Sequence, residues 1–210
     1  MREALPKPAA PFACRLVIMV KEPIAGRVKT RLAREVGVVG ATMFYRHAMR
    51  GVIARLAHQP FWRTLLIVDP DSAVSSRMLP QGAARAGQGM QRPMRVLPPG
   101  PVCLIGTDVP DISAADVRRA FRQLGDHDAV FGPAEDGGFW LVGLRRTPRV
   151  IDPYRARVPW SRQDTLARTL ANLSGVRVGC TSRHHDVDSA ADLARNRGRY
   201  ARRVRPLPGR

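Results

Sequence analysis

Lysine is almost missing from this chain. Lys7, Lys21 and Lys29 are its only lysines, and the rest of its 35 cationic residues are arginines. The net charge of +18 is scattered along the sequence, apart from an acid-free run from Arg195 to Arg210. Scattered arginine makes a solvated basic surface that concentrates small anions such as nucleotides. It does not make the clustered stripe that grips a nucleic acid, so nucleic acid is not the expected partner. Cysteine is scarce as well. Cys14, Cys103 and Cys180 lie far apart, each in an apolar run, and no Cys-x-x-Cys spacing exists. That excludes a zinc ribbon or a disulfide framework and suits buried thiols in a reducing cytoplasm. No apolar run approaches the roughly 18 residues of a membrane-spanning helix. The start, MREALPKPAAPF, is rich in proline and has no continuous apolar segment, so residues 1–13 read as a flexible extension and not as a signal peptide.

What the chain does have is alternation. Short apolar, β-branched runs at 15–20, 65–68, 102–105, 128–131, 139–144 and 176–180 are bounded by turn residues and read as strands. Gly40 to Ala57 carries Met43, Phe44, Ala48, Val52 and Leu56 near helical spacing, and Ser189 to Tyr200 reads as a last helix. Ser113-Ala-Ala-Asp116 and Ser161-Arg-Gln-Asp164 resemble capping boxes. Residues 80–100 show no period and are rich in Gly and Pro, so a loop or degraded element is expected there. Strands alternating with helices predict a mostly parallel α/β sheet, with the pair around residues 128–144 antiparallel. One domain over 14–203 and a basic tail over 204–210 follow.

Four stretches carry the chemistry. In Lys21-Glu-Pro-Ile-Ala-Gly-Arg-Val-Lys-Thr-Arg-Leu32 the spacing from Gly26 to Lys29 fails the phosphate-loop pattern G-x-x-x-x-G-K-[ST]. If the backbone is extended, Arg27, Lys29 and Arg31 share one face beyond the first strand, where three cations meet one phosphate chain. Asp108, in Ile-Gly-Thr-Asp-Val-Pro-Asp111, follows the third strand, well placed to hold Mg²⁺ against a phosphate. Gly132-Pro-Ala-Glu-Asp-Gly-Gly-Phe-Trp140 is either a plain hairpin turn or a pocket wall in which Glu135 and Asp136 offer a base. In His184-His-Asp-Val-Asp188, Asp186 and Asp188 share a face if extended.

Those stretches, with Pro159-Trp-Ser161, resemble the nucleotide-diphospho-sugar transferase superfamily, the GT-A fold, from about Arg15 to Leu193. The likeness is to bacterial glycosyltransferases of radical-SAM gene neighbourhoods and, more distantly, to phospholactate guanylyltransferases, which share the Lys-x-Arg-Leu run. The resemblance implies a single-domain GT-A transferase that uses Mg²⁺ or Mn²⁺, a nucleotide or nucleotide-sugar and a small-molecule acceptor. Glycosyl transfer from a nucleotide-diphospho-sugar is the leading expectation, with nucleotidyl transfer, which releases pyrophosphate, as the alternative. The placement of the four stretches assigns Lys21, Gly26, Arg27, Lys29 and Arg31 to the phosphates, Asp108 and Asp188 to the metal, and Lys29, Asp108 and Asp136 to catalysis, as expectations. Glu135, Asp136, Gly137, Gly138 and Trp160 are implied for the acceptor. The chain departs from the family at Ala86-Gly-Gln-Gly-Met90, where relatives carry Gly-Asp-Leu-Gly-x-Arg-Met. The missing acid admits weakened activity, or a non-catalytic nucleotide or polyanion binder.

Overall fold

The run Leu16-Val-Ile-Met-Val20 has no polar residue, which suits a strand covered on both faces. It forms β1 (Arg15–Lys21) in the middle of the sheet. The structure, a computed structural model, describes residues 13–69, 78–80, 86–156 and 158–195. Its other strands are β2 (Arg63–Asp69), β3 (Met78–Pro80), β4 (Val102–Ile105), β5 (Ala129–Pro133), β6 (Phe139–Leu144) and β7 (Val178–Cys180). They make one seven-stranded sheet in the order β3-β2-β1-β4-β6-β5-β7. β1 pairs in parallel with β2 and β4, β2 with β3, and β5 with β7. β6 runs antiparallel to both of its neighbours, β4 and β5. The antiparallel pair expected from the sequence is thus present.

Period-2 alternation sends Leu16, Ile18 and Val20 to one face and Val17 to the other. The first face packs on Val52 and Leu56 of α1 (Thr30–Leu56) and on Val117, Ala120 and Leu124 of and after α3 (Ala114–Gln123). The second packs on Met90 and Met94 of α2 (Ala86–Val96) and on Leu166 and Leu170 of α4 (Thr165–Ala171). Leu16 and Ile18 are fully buried, and each such side chain contributes about 1.5–3 kcal/mol. A third cluster joins Leu32, Phe44 and Ala48 of α1 to Val187 and to Leu193 of α5 (Ala190–Arg195).

Four local expectations change. α1 begins at Thr30, not Gly40, and breaks its helical backbone at Gly37 (φ 80), which hides the period of the first segment. α2 forms where a loop was expected, despite Pro93. Met90 and Met94, one turn apart, are buried on the sheet, and burial of such a face outweighs poor propensity. Ser113 and Asp116 make the expected capping box. Ser161 does not cap a helix: it has φ 58, and α4 starts after Asp164 without a side-chain cap. The cysteines are all free, but only Cys103 is buried; Cys14 is half-buried and Cys180 exposed. The last helix is described only to Arg195, and the basic tail lies outside the described residues. Among the described residues no helix is long and apolar enough to cross a membrane.

Candidate active site

The cationic stretch after β1 is not extended. Hydrogen bonds from Ile24 N to Glu22 O (2.7 Å) and from Arg27 N to Ile24 O (3.0 Å) curl it into turns, with Gly26 at φ 79. Lys29 then takes φ 48, ψ 47 as the residue before α1, and Arg31 is already helical. Arg27, Lys29 and Arg31 therefore do not alternate along a strand. The turn instead drives the Lys29 side chain inward, leaving 4% of it exposed. Its Nζ lies 2.8 Å from Asp108 Oδ1 and 2.9 Å from Asp188 Oδ1. Arg31, an exposed side chain, reaches Asp188 Oδ2 at 3.1 Å. Burial disfavours the Lys29 charge, but the two carboxylates outweigh it and hold the ammonium above its ordinary range. Lys29 is thus a permanent cation, unsuited to act as a nucleophile.

The two acids arrive from distant elements. Asp108 stands just past β4, and Val187 N donates to the Asp108 carbonyl (3.3 Å), which pins the segment carrying Asp188 beside it. Asp188 is fixed from the other side by Asp192 in α5. Asp192 Oδ2 accepts from Asp188 N (3.1 Å), Ser189 N (2.8 Å) and Ser189 Oγ (2.7 Å), while Oδ1 accepts from His185 Nε2 and Arg195. Tyr45 of α1 ties the strand ends together. Its hydroxyl accepts from Lys21 N (2.8 Å) and from Thr107 Oγ1 (3.3 Å). Neither Asp192 nor Tyr45 was singled out in the sequence. Ser189-x-x-Asp192 repeats the capping pattern of Ser113-x-x-Asp116 and could have exposed the first; Tyr45 left no signal.

The β5–β6 hairpin supplies the opposite wall. Asp136 Oδ1 accepts from Gly138 N (2.9 Å), so this acid caps the turn. Gly137 has φ 85, and a Cβ there would overlap the Gln163 carbonyl; Leu166 N donates to Gly137 O (3.0 Å). This glycine lets the turn before α4 approach, whereas the sequence had suggested approach of an acceptor. Glu135 points to His185 Nδ1 (2.8 Å). Trp160 packs near Phe139 and Tyr154, with ring centroids 6.1 and 5.5 Å apart. Asp186, half-buried beside Asp136 and Asp188, has its carboxyl pushed up by burial first and then by those charges.

Together these parts enclose a cavity of about 610 Å³ at the ends of β1 and β4. Of the residues expected from sequence, Lys21, Arg27, Lys29, Arg31, Asp108, Asp136, Gly138, Trp160 and Asp188 line it. Gly26, Glu135 and Gly137 do not. Among the described residues no three His, Cys, Asp or Glu side chains are grouped to hold a metal by themselves. Asp108 and Asp188 are two hard oxygen donors already sharing one cation, the Lys29 ammonium. That donor set fits Mg²⁺, which takes one or two carboxylates and completes its shell with phosphates and water.

The fold is shared with solved structures. A protein from Desulfovibrio desulfuricans G20, provisionally named a nucleotide-diphospho-sugar transferase, superposes with a TM-score of 0.76 at 27% identity, over 91% of this chain and 90% of that one. A CMP:2-keto-3-deoxy-manno-octonic acid synthetase complexed with CTP gives 0.56 at 13% identity, over 92% and 100%. The 4-diphosphocytidyl-2C-methyl-D-erythritol synthase of Anaerococcus prevotii DSM 20548 gives 0.58 at 9%, over 91% and 96%. No protein of curated function matches the sequence significantly. The architecture is that of the nucleotide-diphospho-sugar transferases, as the sequence motifs implied. Residues 45–162, more than half of the chain, match the bacterial family described as "Uncharacterized protein conserved in bacteria (DUF2064)", and the chain belongs to that family.

Proposed function

We propose that this protein is a Mg²⁺-dependent transferase acting on a nucleotide-activated donor, with a nucleotide-diphospho-sugar as the leading substrate. The observation that carries the reading is the Lys29 ammonium between Asp108 and Asp188 on a cavity at the C-terminal ends of β1 and β4. Ligands of open α/β sheets bind at that edge, and the pairing of cations with metal-type carboxylates is what a phosphate chain requires. In this reading Asp108 and Asp188 hold the metal, whose chemistry is to neutralise the departing phosphates. Arg27, Lys29 and Arg31 meet the remaining phosphate charge, with Lys21 and the Gly26 turn shaping that end. Asp136, on the opposite wall, takes the proton of an acceptor hydroxyl as its oxygen attacks the sugar carbon and the nucleoside diphosphate leaves. Trp160 and Gly138 flank the acceptor. Their 27%-identical relative's provisional name supports the sugar donor.

A second reading is nucleotidyl transfer, favoured by the Lys29 position itself. An ammonium so close to both acids suits a reaction at a phosphorus atom, from which pyrophosphate leaves. The test is thermal shift against nucleotide-sugars and nucleoside triphosphates, with and without Mg²⁺, followed by product analysis. Metal-dependent stabilisation by one class is expected. Release of a nucleoside diphosphate supports the first reading and pyrophosphate the second. Indifference to every nucleotide in both conditions sinks the transferase assignment.

A further inference from the structure

The Lys29 ammonium is held more tightly than phosphate recognition alone requires. Its side chain is 4% exposed, and it touches two carboxylates at once, at 2.8 and 2.9 Å. Its backbone sits at φ 48, ψ 47, a left-handed conformation that non-glycine residues rarely adopt. Such strain persists only where the surroundings over-determine it. The carboxylates themselves have little need of a lysine for solvation, since 59% of the Asp108 side chain and 34% of the Asp188 side chain are exposed. Side by side they are a donor pair for a hard cation, and a cation fixed to the chain already fills it.

Resting on the transferase reading above, we infer that Lys29 is a resident counter-cation. It closes the Asp108–Asp188 pair to free divalent metal and yields it only when a ligand phosphate competes for the ammonium. No covalent bond changes in this exchange. Lys29 keeps its proton throughout and trades two carboxylate partners for phosphate oxygens. Arg31 does not share the role: 62% of its side chain is exposed, and among the described residues it pairs with one of the two acids, Asp188, at 3.1 Å. The consequence is order. Metal enters with the nucleotide, and the protein does not sequester the free ion.

The test titrates Mn²⁺ alone, with no nucleotide, into the wild type, Lys29→Met and Arg31→Met, reading the free ion by electron paramagnetic resonance. The wild type is expected to bind weakly. Lys29→Met should gain about tenfold or more in affinity, because a unit charge in contact with both ligands is removed. Arg31→Met should change by less than about threefold, since its charge is screened by solvent. Equal gains in the two variants would reduce the effect to general charge and overturn the inference. Wild-type binding as tight as that of Lys29→Met overturns it too, as does the absence of any gain. Lys29→Gln, still able to hydrogen-bond both acids, gives the same reading if the methionine variant loses its circular dichroism spectrum. The two readings also fail separately. A gain in Lys29→Met with no nucleotide stabilising the protein upholds Lys29 as the counter-cation, and sinks both its release by nucleotide and the transferase. Nucleotide-dependent metal binding by the wild type, without that gain, does the reverse.

Discussion

Replacing Asp192 by alanine removes the anchor of the segment that presents Asp188. The N–H groups of Asp188 and Ser189, the Ser189 hydroxyl, His185 and Arg195 all converge on this buried carboxylate. The Arg195 pair lies on an exposed side chain and is worth well under about 1 kcal/mol. Loss of the cap at the start of α5 costs about 1 kcal/mol. Stranding the Asp188 N–H and the His185 ring, each deprived of a charged acceptor, adds about 2–3 kcal/mol. A total of about 3–4 kcal/mol lowers the melting temperature of a chain this size by roughly 6–16 °C. Asp192→Asn keeps an oxygen for the backbone donors but loses the charge, so about half that drop is expected.

The pH dependence carries a second signature. Burial acts to raise the Asp192 carboxyl, but its hydrogen bonds to Ser189, His185 and the backbone outweigh burial and hold it well below its ordinary value of 3.8. The charge therefore stabilises fully above that value, and the contribution is lost as pH falls through the depressed folded value. The gap between wild type and Asp192→Asn, measured by calorimetry, should narrow as pH rises through the raised folded value of His185, whose charge Asp192 supports, and should close on acidification below about pH 4. An alanine variant melting within about 2 °C of wild type, or a gap indifferent to acid, would refute the anchoring role.

Three further substitutions test the framework around the site. Gly137→Ala forces a side chain at φ 85 into the Gln163 carbonyl and should cost about 3 kcal/mol or more. Gly175→Ala, at φ 73 with open space around it, pays only the backbone term of about 1–2 kcal/mol; paired melts should separate the two. Arg146 is buried at φ 61 and donates to the carbonyls of Met94, Leu97, Pro98 and Gly100. Arg146→Met should destabilise by about 2–4 kcal/mol and speed hydrogen exchange at the C-terminal end of α2 above all.

Much of this was legible in the chain, and the failures have physical causes. The bounds of β6 could be read directly, because an uninterrupted apolar run between turn residues leaves one register for a doubly covered strand. α2 was not legible: Gly87, Gly89 and Pro93 oppose helix locally, and only packing on Val102 and Leu104 reveals why Met90 and Met94 are a turn apart. Lys29 and Asp108 stood out as charged residues past strand ends, yet extended geometry was the wrong route to Lys29, since a left-handed residue and a helix start bring it inward. Arg146 left no trace, because all its partners are backbone carbonyls and carry no sequence identity. Asp136 was expected as a base, with turn-capping the competing reading; its bond to Gly138 N shows that it caps the turn and leaves one oxygen for other work.

The reversal of β6 has a consequence for how such a site can diverge. A parallel strand delivers one loop to the ligand edge and must travel back behind the sheet before it returns. β5 and β6 double back at once, so both ends of a single short tip, from Ala134 to Gly138, open on the cavity's edge. Exchanging side chains along that tip redraws one wall without disturbing Lys29 across from it, while Gly137, seated against Gln163 and Leu166, fixes its backbone to the start of α4. In the proposed function, selectivity for the group received and recognition of phosphate are then separable inheritances, one carried by the side chains of a hairpin and the other by the strand ends facing it.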